Sequence, residues 1–124
     1  MTGLAAKRRR APGADGSARV EAAVLGPAGR SDARLRGTVL ERAAWLAGRD
    51  APRPSEDVPG TLAPLVEKIV RHAYRVTDED IALARAAGHE EDELFDVIVA
   101  AALGAGLVRR ERGLAAIAAW EEAR

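Results

Sequence analysis

The spacing of apolar residues from Ser31 onward is the feature that most restricts the fold. Apolar side chains recur at every third or fourth position, which is the period of an α-helix that buries one face. Residues that begin helices precede these runs and glycines follow them, as Asp32 and Gly48 do around the first run. A chain of 124 residues can bury a single core. We therefore predict one small all-α domain of about four helices, spanning residues 31–124.

The first two predicted helices have clear apolar stripes. The first stripe comprises Leu35, Val39, Leu40, Ala43, Leu46 and Ala47. A loop that contains Pro52, Pro54 and Pro59 then leads to Thr61. The second stripe comprises Leu62, Leu65, Val66, Ile69, Val70 and Ala73. Because the second stripe keeps to one face of the helical wheel, it predicts an amphipathic helix that packs against the core.

A capping box predicts the start of the third helix. Thr77 and Asp80 have the required spacing, so the threonine hydroxyl can bond a backbone N–H while the carboxylate reaches back. The acids at 78–80 also suit the positive end of the helix dipole. Gly88 predicts the end of this helix.

The fourth predicted helix begins with four consecutive acids at residues 90–93. Residues 94–108 are then apolar nearly all the way round, so the helix must be covered on several sides. Small residues in this segment would let another helix approach closely. They are Ala100, Ala102, Gly104 and Gly106. We predict that this helix contributes to a subunit interface.

The first thirty residues differ in composition from the rest of the chain. They are rich in Ala, Gly, Arg and Pro, lack aromatic residues and show no sustained apolar period. We predict that residues 1–30 are a disordered basic tail. Its KRRR sequence at residues 7–10 would attract nucleic acid or an acidic partner only weakly and in a salt-sensitive way. A solvated tail is therefore the favoured interpretation.

Composition excludes several classes of function. The sequence contains no cysteine, which rules out disulfides, thiolate metal sites and thiol chemistry. The formal net charge is zero. The uncharged run at 97–108 is too short for a membrane span, which needs roughly 20 apolar residues. Ala-Pro-Gly follows the basic residues at 7–10, where a signal peptide would require an apolar segment. We predict a soluble, cytoplasmic protein that needs no cofactor.

Residues 65–114 resemble a known family. The redox branch of the alkylhydroperoxidase D-like and carboxymuconolactone decarboxylase family has a C-x-x-C-x-x-H motif before an A-x-x-A-G helix end. An acidic cap and an alanine-rich helix follow that motif. This chain is similar in its ARAAG at 84–88 and in the acidic cap and alanine-rich helix that follow. The resemblance implies an all-helical homo-oligomer, a trimer or hexamer.

The same resemblance places other residues at the reactive positions. Counting back from Gly88 puts Tyr74 and Thr77 where the two cysteines would be, and Asp80 where the histidine would be. The family's glutamate would fall near Leu62, which is not an acid. Cysteine-dependent peroxidase chemistry is therefore absent. Carboxymuconolactone decarboxylase relatives act on an acidic lactone without a redox pair, so the resemblance leaves room for other chemistry.

The candidate acid–base residues lie beside the second predicted helix. They are Glu67, His72, Tyr74 and Asp80. Arg71 and Arg75 could hold a small anionic substrate. At 100° per residue, Glu67 and Tyr74 fall on one flank of the helix and His72 on the other. Any site would therefore pair Tyr74 with Glu67, or His72 with a group from another element or subunit.

Each candidate also has a purely structural interpretation. His72 near a helix C-terminus can interact with the dipole and bond terminal carbonyls. Tyr74 can pack with its ring inward and its hydroxyl outward. Capping accounts for Asp80. His89 and the acids after it lack metal-ligand spacing, because consecutive residues point different ways around a helix, so we predict no metal site there.

Two functional hypotheses follow, and a third is rejected. The first is a non-redox, oligomeric binding or accessory module. The second is a cysteine-independent lyase or decarboxylase that acts on a small anionic substrate. A helix-turn-helix over residues 77–98 is rejected, because its second helix begins with four acids that DNA phosphates would repel.

Overall fold

The domain is built from α-helices. The computed structural model describes residues 32–124 and, before them, Arg19, Glu21, Ala22, Leu25 and Gly26. Within residues 32–124 the helices are α1 (Ala33–Leu46), α2 (Ala63–His72), α3 (Asp78–Ala86) and α4 (Glu91–Ala123), with a 3₁₀ turn at Ala73–Arg75. This part of the chain has no strand. The predicted all-α class and the number of helices are confirmed.

The predicted helix boundaries follow local chemistry. Asp32 caps α1, its carboxylate accepting a bond from the backbone N–H of Arg34 at 3.0 Å. Thr77 and Asp80 form the predicted capping box of α3. After α1 and α3 the chain turns at Gly48 and Gly88, whose φ angles are +101° and +105°. These angles lie in the left-handed region, where glycine avoids the Cβ clash that other residues meet.

The core lies where α1 and α2 pack against α4. Its buried side chains include members of both predicted stripes, such as Val39 and Val66, together with Val97 of α4. Of the other stripe residues, Leu35, Leu46 and Ala47 are partly buried and Ala73 is exposed.

α4 lies close to α1 at Gly104, where an added Cβ would overlap the backbone oxygen of Leu40 and lie 3.1 Å from the Cβ of Ala43. Small size at this position therefore serves contact between helices of one chain.

The small residues of α4 divide between two faces. Ala100 and Gly104 are buried in the core, whereas Ala102 and Gly106 are exposed. The subunit interface predicted from these four residues can therefore involve only the second pair. α4 also continues well past Val108, and residues 111–124 are all exposed.

The predicted tail, residues 1–30, lies mostly outside the described residues. Two described positions within it contact the domain. Leu25 packs against the core, and the carbonyl of Gly26 accepts a hydrogen bond from the guanidinium of Arg36. Of the described helices, none is both long and apolar enough to cross a bilayer.

Candidate functional site

The end of α2 carries two of the predicted catalytic residues side by side. The rings of His72 and Tyr74 meet edge to face, with centroids 6.0 Å apart. His72 is exposed, and Tyr74 is 79% exposed. The guanidinium carbon of Arg75 lies 5.6 Å from the centroid of the Tyr74 ring, a cation–π contact. The three side chains form an exposed cluster rather than an enclosed site.

Glu67 and Arg71 bond each other on the outside of α2. The carboxylate of Glu67 lies 3.2 Å from Nε of Arg71, one helical turn away, and both side chains are more than half exposed. The carboxylate of Glu67, predicted as a partner for Tyr74, thus forms an ion pair with Arg71. The side chains of Arg71 and Arg75 are both exposed.

Asp80 is tied to α2 as well as to its own helix. Its carboxylate accepts bonds from Nζ of Lys68 at 2.9 and 3.0 Å and from the backbone N–H of Thr77 at 2.8 Å. The hydrogen bond from Lys68, followed by that from Thr77, holds the pKa of Asp80 below its usual 3.8. Asp80 therefore fastens α3 to α2 while it is ionised.

We expect Asp80→Asn to lower stability at neutral pH. The folded-state pKa of Asp80 is below the unfolded value of 3.8, so its contribution is present above that pH and is lost as the pH falls through the folded-state pKa. The difference between wild type and variant, measured by urea unfolding at pH 7 and stepwise below pH 4, should therefore shrink with acid. Asp78→Asn, an exposed acid in the same helical turn, is the control. An equal loss of unfolding free energy in Asp80→Asn and Asp78→Asn would contradict the role of Asp80 in holding α3 to α2.

A second group of polar side chains joins three separate segments. Oγ1 of Thr61, in the turn before α2, lies 2.6 Å from Nε2 of His89. Nδ1 of His89, between α3 and α4, lies 2.5 Å from Oε1 of Glu93 in the first turn of α4. Sequence reasoning missed this group. The spacing of four between His89 and Glu93 was visible, but nothing local indicates that Thr61 lies beside them.

Two of the cavities lined by described residues contain predicted site residues and have volumes that suit small molecules. One, of about 590 Å³, lies between α1 and the loop before α2. Trp45 lines it, with the guanidinium carbons of Arg42 and Arg53 at 5.7 and 5.8 Å from the ring centroid. The other, of about 390 Å³, lies between α2 and α3 and includes Thr61 and Asp80. Glu67 lines the first cavity and Asp80 the second. Because His72 and Tyr74 meet each other at the end of α2, the four predicted catalytic residues do not form one site.

The outward face of α4 is apolar or small along most of its length. Phe95 is 66% exposed and Trp120 is 62% exposed. Between them, Ala102, Gly106 and Gly113 are exposed on the same side of the helix. A Cβ added at Gly106 or Gly113 would meet nothing within 4 Å. This face can approach another helix closely.

Comparisons of the chain with protein-family models, with curated proteins and with solved structures found no match.

Proposed function

We propose that the protein is a non-redox member of the alkylhydroperoxidase-like and carboxymuconolactone decarboxylase family that acts as an oligomeric binding or accessory module. The observation that carries this proposal is the exposed, apolar and small-residue face of α4. The all-helical domain and the absence of cysteine agree with it. The occupant we assign to the α4 face is a second copy of this chain.

The spacing on this face makes it complementary to itself. Six residues in the N-terminal part of this face follow steps of three, four, three, four and three. They are Asp92, Phe95, Val99, Ala102, Gly106 and Arg109. Because this series reads the same in both directions, an antiparallel copy would set each member against another member of the series. Such a twofold, self-complementary contact is the usual geometry of a symmetric dimer.

In this antiparallel arrangement, the residues that face each other across the two copies match in size and charge. Phe95 of one copy would lie over Gly106 of the other, where the absence of a side chain leaves room for the ring. Asp92 would face the partner's Arg109, so an acidic end meets a basic end. Arg109 already donates one bond to the carbonyl of Val70 at 2.6 Å, but a guanidinium has five N–H donors. The paired stretch would extend over about 26 Å of helix.

A twofold contact favours one of the two assemblies that the resemblance implies. A hexamer built from three pairs contains twofold axes, whereas a simple trimer does not. The structure of the α4 face therefore supports the hexamer over the trimer.

A small anionic ligand would find its best site in the larger cavity. Arg42 and Arg53 flank Trp45 there, and both also form ion pairs with Asp57, at 2.6 and 3.6 Å. A ligand with an aromatic ring and a carboxylate could stack on the indole and compete for the guanidinium groups. The lyase alternative has weaker support, because the side chains of His72 and Tyr74 are exposed at the end of α2.

Native mass spectrometry of the full chain tests the α4 contact. We expect an even-numbered assembly for wild type and its dissociation in Gly106→Gln, because the new side chain occupies the space required by the partner's Phe95. Gly113→Gln is the matched control, since Gly113 is also an exposed glycine of α4 but lies one turn beyond the paired stretch. The control should keep the wild-type assembly.

Two results would contradict the proposal. If the wild-type protein is a monomer at micromolar concentration, the α4 face does not bind a second copy and the proposed oligomeric module is wrong. An assembly that survives Gly106→Gln unchanged would place the subunit contact elsewhere.

A further inference from the structure

A hydroxyl, an imidazole and a carboxylate follow one another in a chain of hydrogen bonds. They belong to Thr61, His89 and Glu93. The hydroxyl oxygen lies 2.6 Å from one ring nitrogen, and the carboxylate lies 2.5 Å from the other. The order of groups is that of the serine–histidine–aspartate arrangement, in which the imidazole takes the proton of the attacking hydroxyl. Here the hydroxyl belongs to a threonine.

The carboxylate sets the tautomer of the imidazole. An ionised Glu93 can only accept hydrogen bonds, so Nδ1 of His89 must carry the proton that it donates. In the neutral ring Nε2 then has a lone pair, and the Thr61 hydroxyl donates to it. The hydrogen bond therefore points the proton of Thr61 at a base.

Thr61 is also accessible to a substrate. Its side chain is exposed and lines the cavity of about 390 Å³ between α2 and α3. Four apolar residues share that cavity: Pro64, Leu65, Leu83 and Ala84. The Lys68–Asp80 ion pair lines it as well. The surroundings of the hydroxyl suit a short apolar acyl chain.

We propose that Thr61 is a nucleophile that accepts acyl groups from esters with short apolar acyl chains. His89 acts as the general base and Glu93 as a positioning residue. This activity goes beyond the binding role proposed above and uses different residues.

The proposed step balances without any further reagent. Oγ1 of Thr61 bonds to the ester carbonyl carbon while its proton passes to Nε2 of His89. The tetrahedral intermediate then breaks its bond to the alcohol oxygen, and the alcohol leaves with that proton. Water, activated by the same imidazole, hydrolyses the acyl-threonine to release the acid and restore the hydroxyl.

The turn before α2 offers little stabilisation of the oxyanion. The backbone N–H groups of Leu62 and Ala63 both bond the carbonyl of Pro59, at 2.8 and 3.0 Å, and Pro64 has no N–H. We therefore expect slow acylation by an activated ester rather than rapid turnover.

The test is acylation of the full chain by p-nitrophenyl butyrate, followed by intact mass and peptide mapping. We expect one butyryl group on Thr61 in wild type and in Thr61→Ser, and none at this position in Thr61→Ala. His89→Gln should slow acylation about 100-fold, the typical contribution of a general base. Thr38, whose hydroxyl donates to Glu56 at 3.0 Å without a histidine, is the internal control and should stay unmodified.

A spectroscopic measurement tests the role of Glu93 separately. Imidazole ¹⁵N shifts should show His89 of the wild type protonated at Nδ1, and Glu93→Gln should weaken that preference and slow acylation together. His72→Gln assigns the signals, because the chain has two histidines. Acylation confined to lysines, equal labelling of Thr38, or a His89→Gln rate equal to that of wild type would overturn the proposal and leave the three residues as a structural link.

Discussion

Gly104→Ala should destabilise the protein by about 2–3 kcal/mol, the cost of overfilling a packed interior. A Cβ at this position would overlap the backbone oxygen of Leu40 and crowd the Cβ of Ala43. A side chain could rotate aside, but a backbone atom of α1 cannot. The two helices would have to move apart, and the core between them would lose contacts along its length.

Gly113→Ala is the matched control for this substitution. It makes the same change in the same helix, at a position where a Cβ meets nothing within 4 Å. Helix propensity alone then predicts stabilisation by about 0.5–1 kcal/mol. Urea unfolding of both variants measures the difference. Equal stabilities would show that α1 and α4 do not approach as closely as the structure indicates.

Arg36→Ala should cost about 3 kcal/mol, in the range found when one partner of a buried charge pair is removed. The Arg36 side chain is 2% exposed and lies 4.0 Å from the carboxylate of Asp96, which is 16% exposed. It also donates to the carbonyl of Gly26. Removal of the guanidinium takes its charge away from Asp96 and leaves a cavity where the arginine stem packed.

Arg34→Ala provides the comparison within the same helix. Arg34 pairs with Glu56 at 2.5 Å, which is shorter than the 4.0 Å between Arg36 and Asp96. The Arg34 and Glu56 side chains, however, are 77% and 48% exposed. Solvent screens such a pair, so we expect little change in stability. The pair of variants separates the effect of burial from that of distance.

A double-mutant cycle sharpens the test of the buried pair. If Arg36 and Asp96 interact, the double variant Arg36→Met/Asp96→Asn should lose less unfolding free energy than the sum of the losses in the two single variants. Strict additivity, or an Arg34→Ala loss as large as that of Arg36→Ala, would contradict the interpretation.

Local chemistry was enough to predict the helices. Asp32 caps α1 and Thr77 with Asp80 caps α3 because a side-chain oxygen satisfies a backbone N–H only a few residues away. The apolar stripes are equally local, since the helical period alone brings their members to one face. These features need no knowledge of the rest of the chain.

The sites depended on contacts that the sequence does not encode locally. Gly104 and Gly106 look alike in sequence, yet one touches the backbone of α1 and the other is open, because only the packing of α1 assigns a face to each. Thr61 reaches His89 across 28 positions of sequence. Asp80 likewise bonds Lys68 of a different helix, whereas the Glu67–Arg71 pair is an i,i+4 contact within α2.

The sequence by itself therefore determined the helical class, the helix caps and the absence of thiol chemistry, because these depend on residue type and short-range spacing. The tertiary structure alone decided which small residues are buried, which arginine is enclosed and which hydroxyl meets a histidine. These outcomes depend on how helices distant in sequence pack, and that is set by the whole core rather than by any one segment.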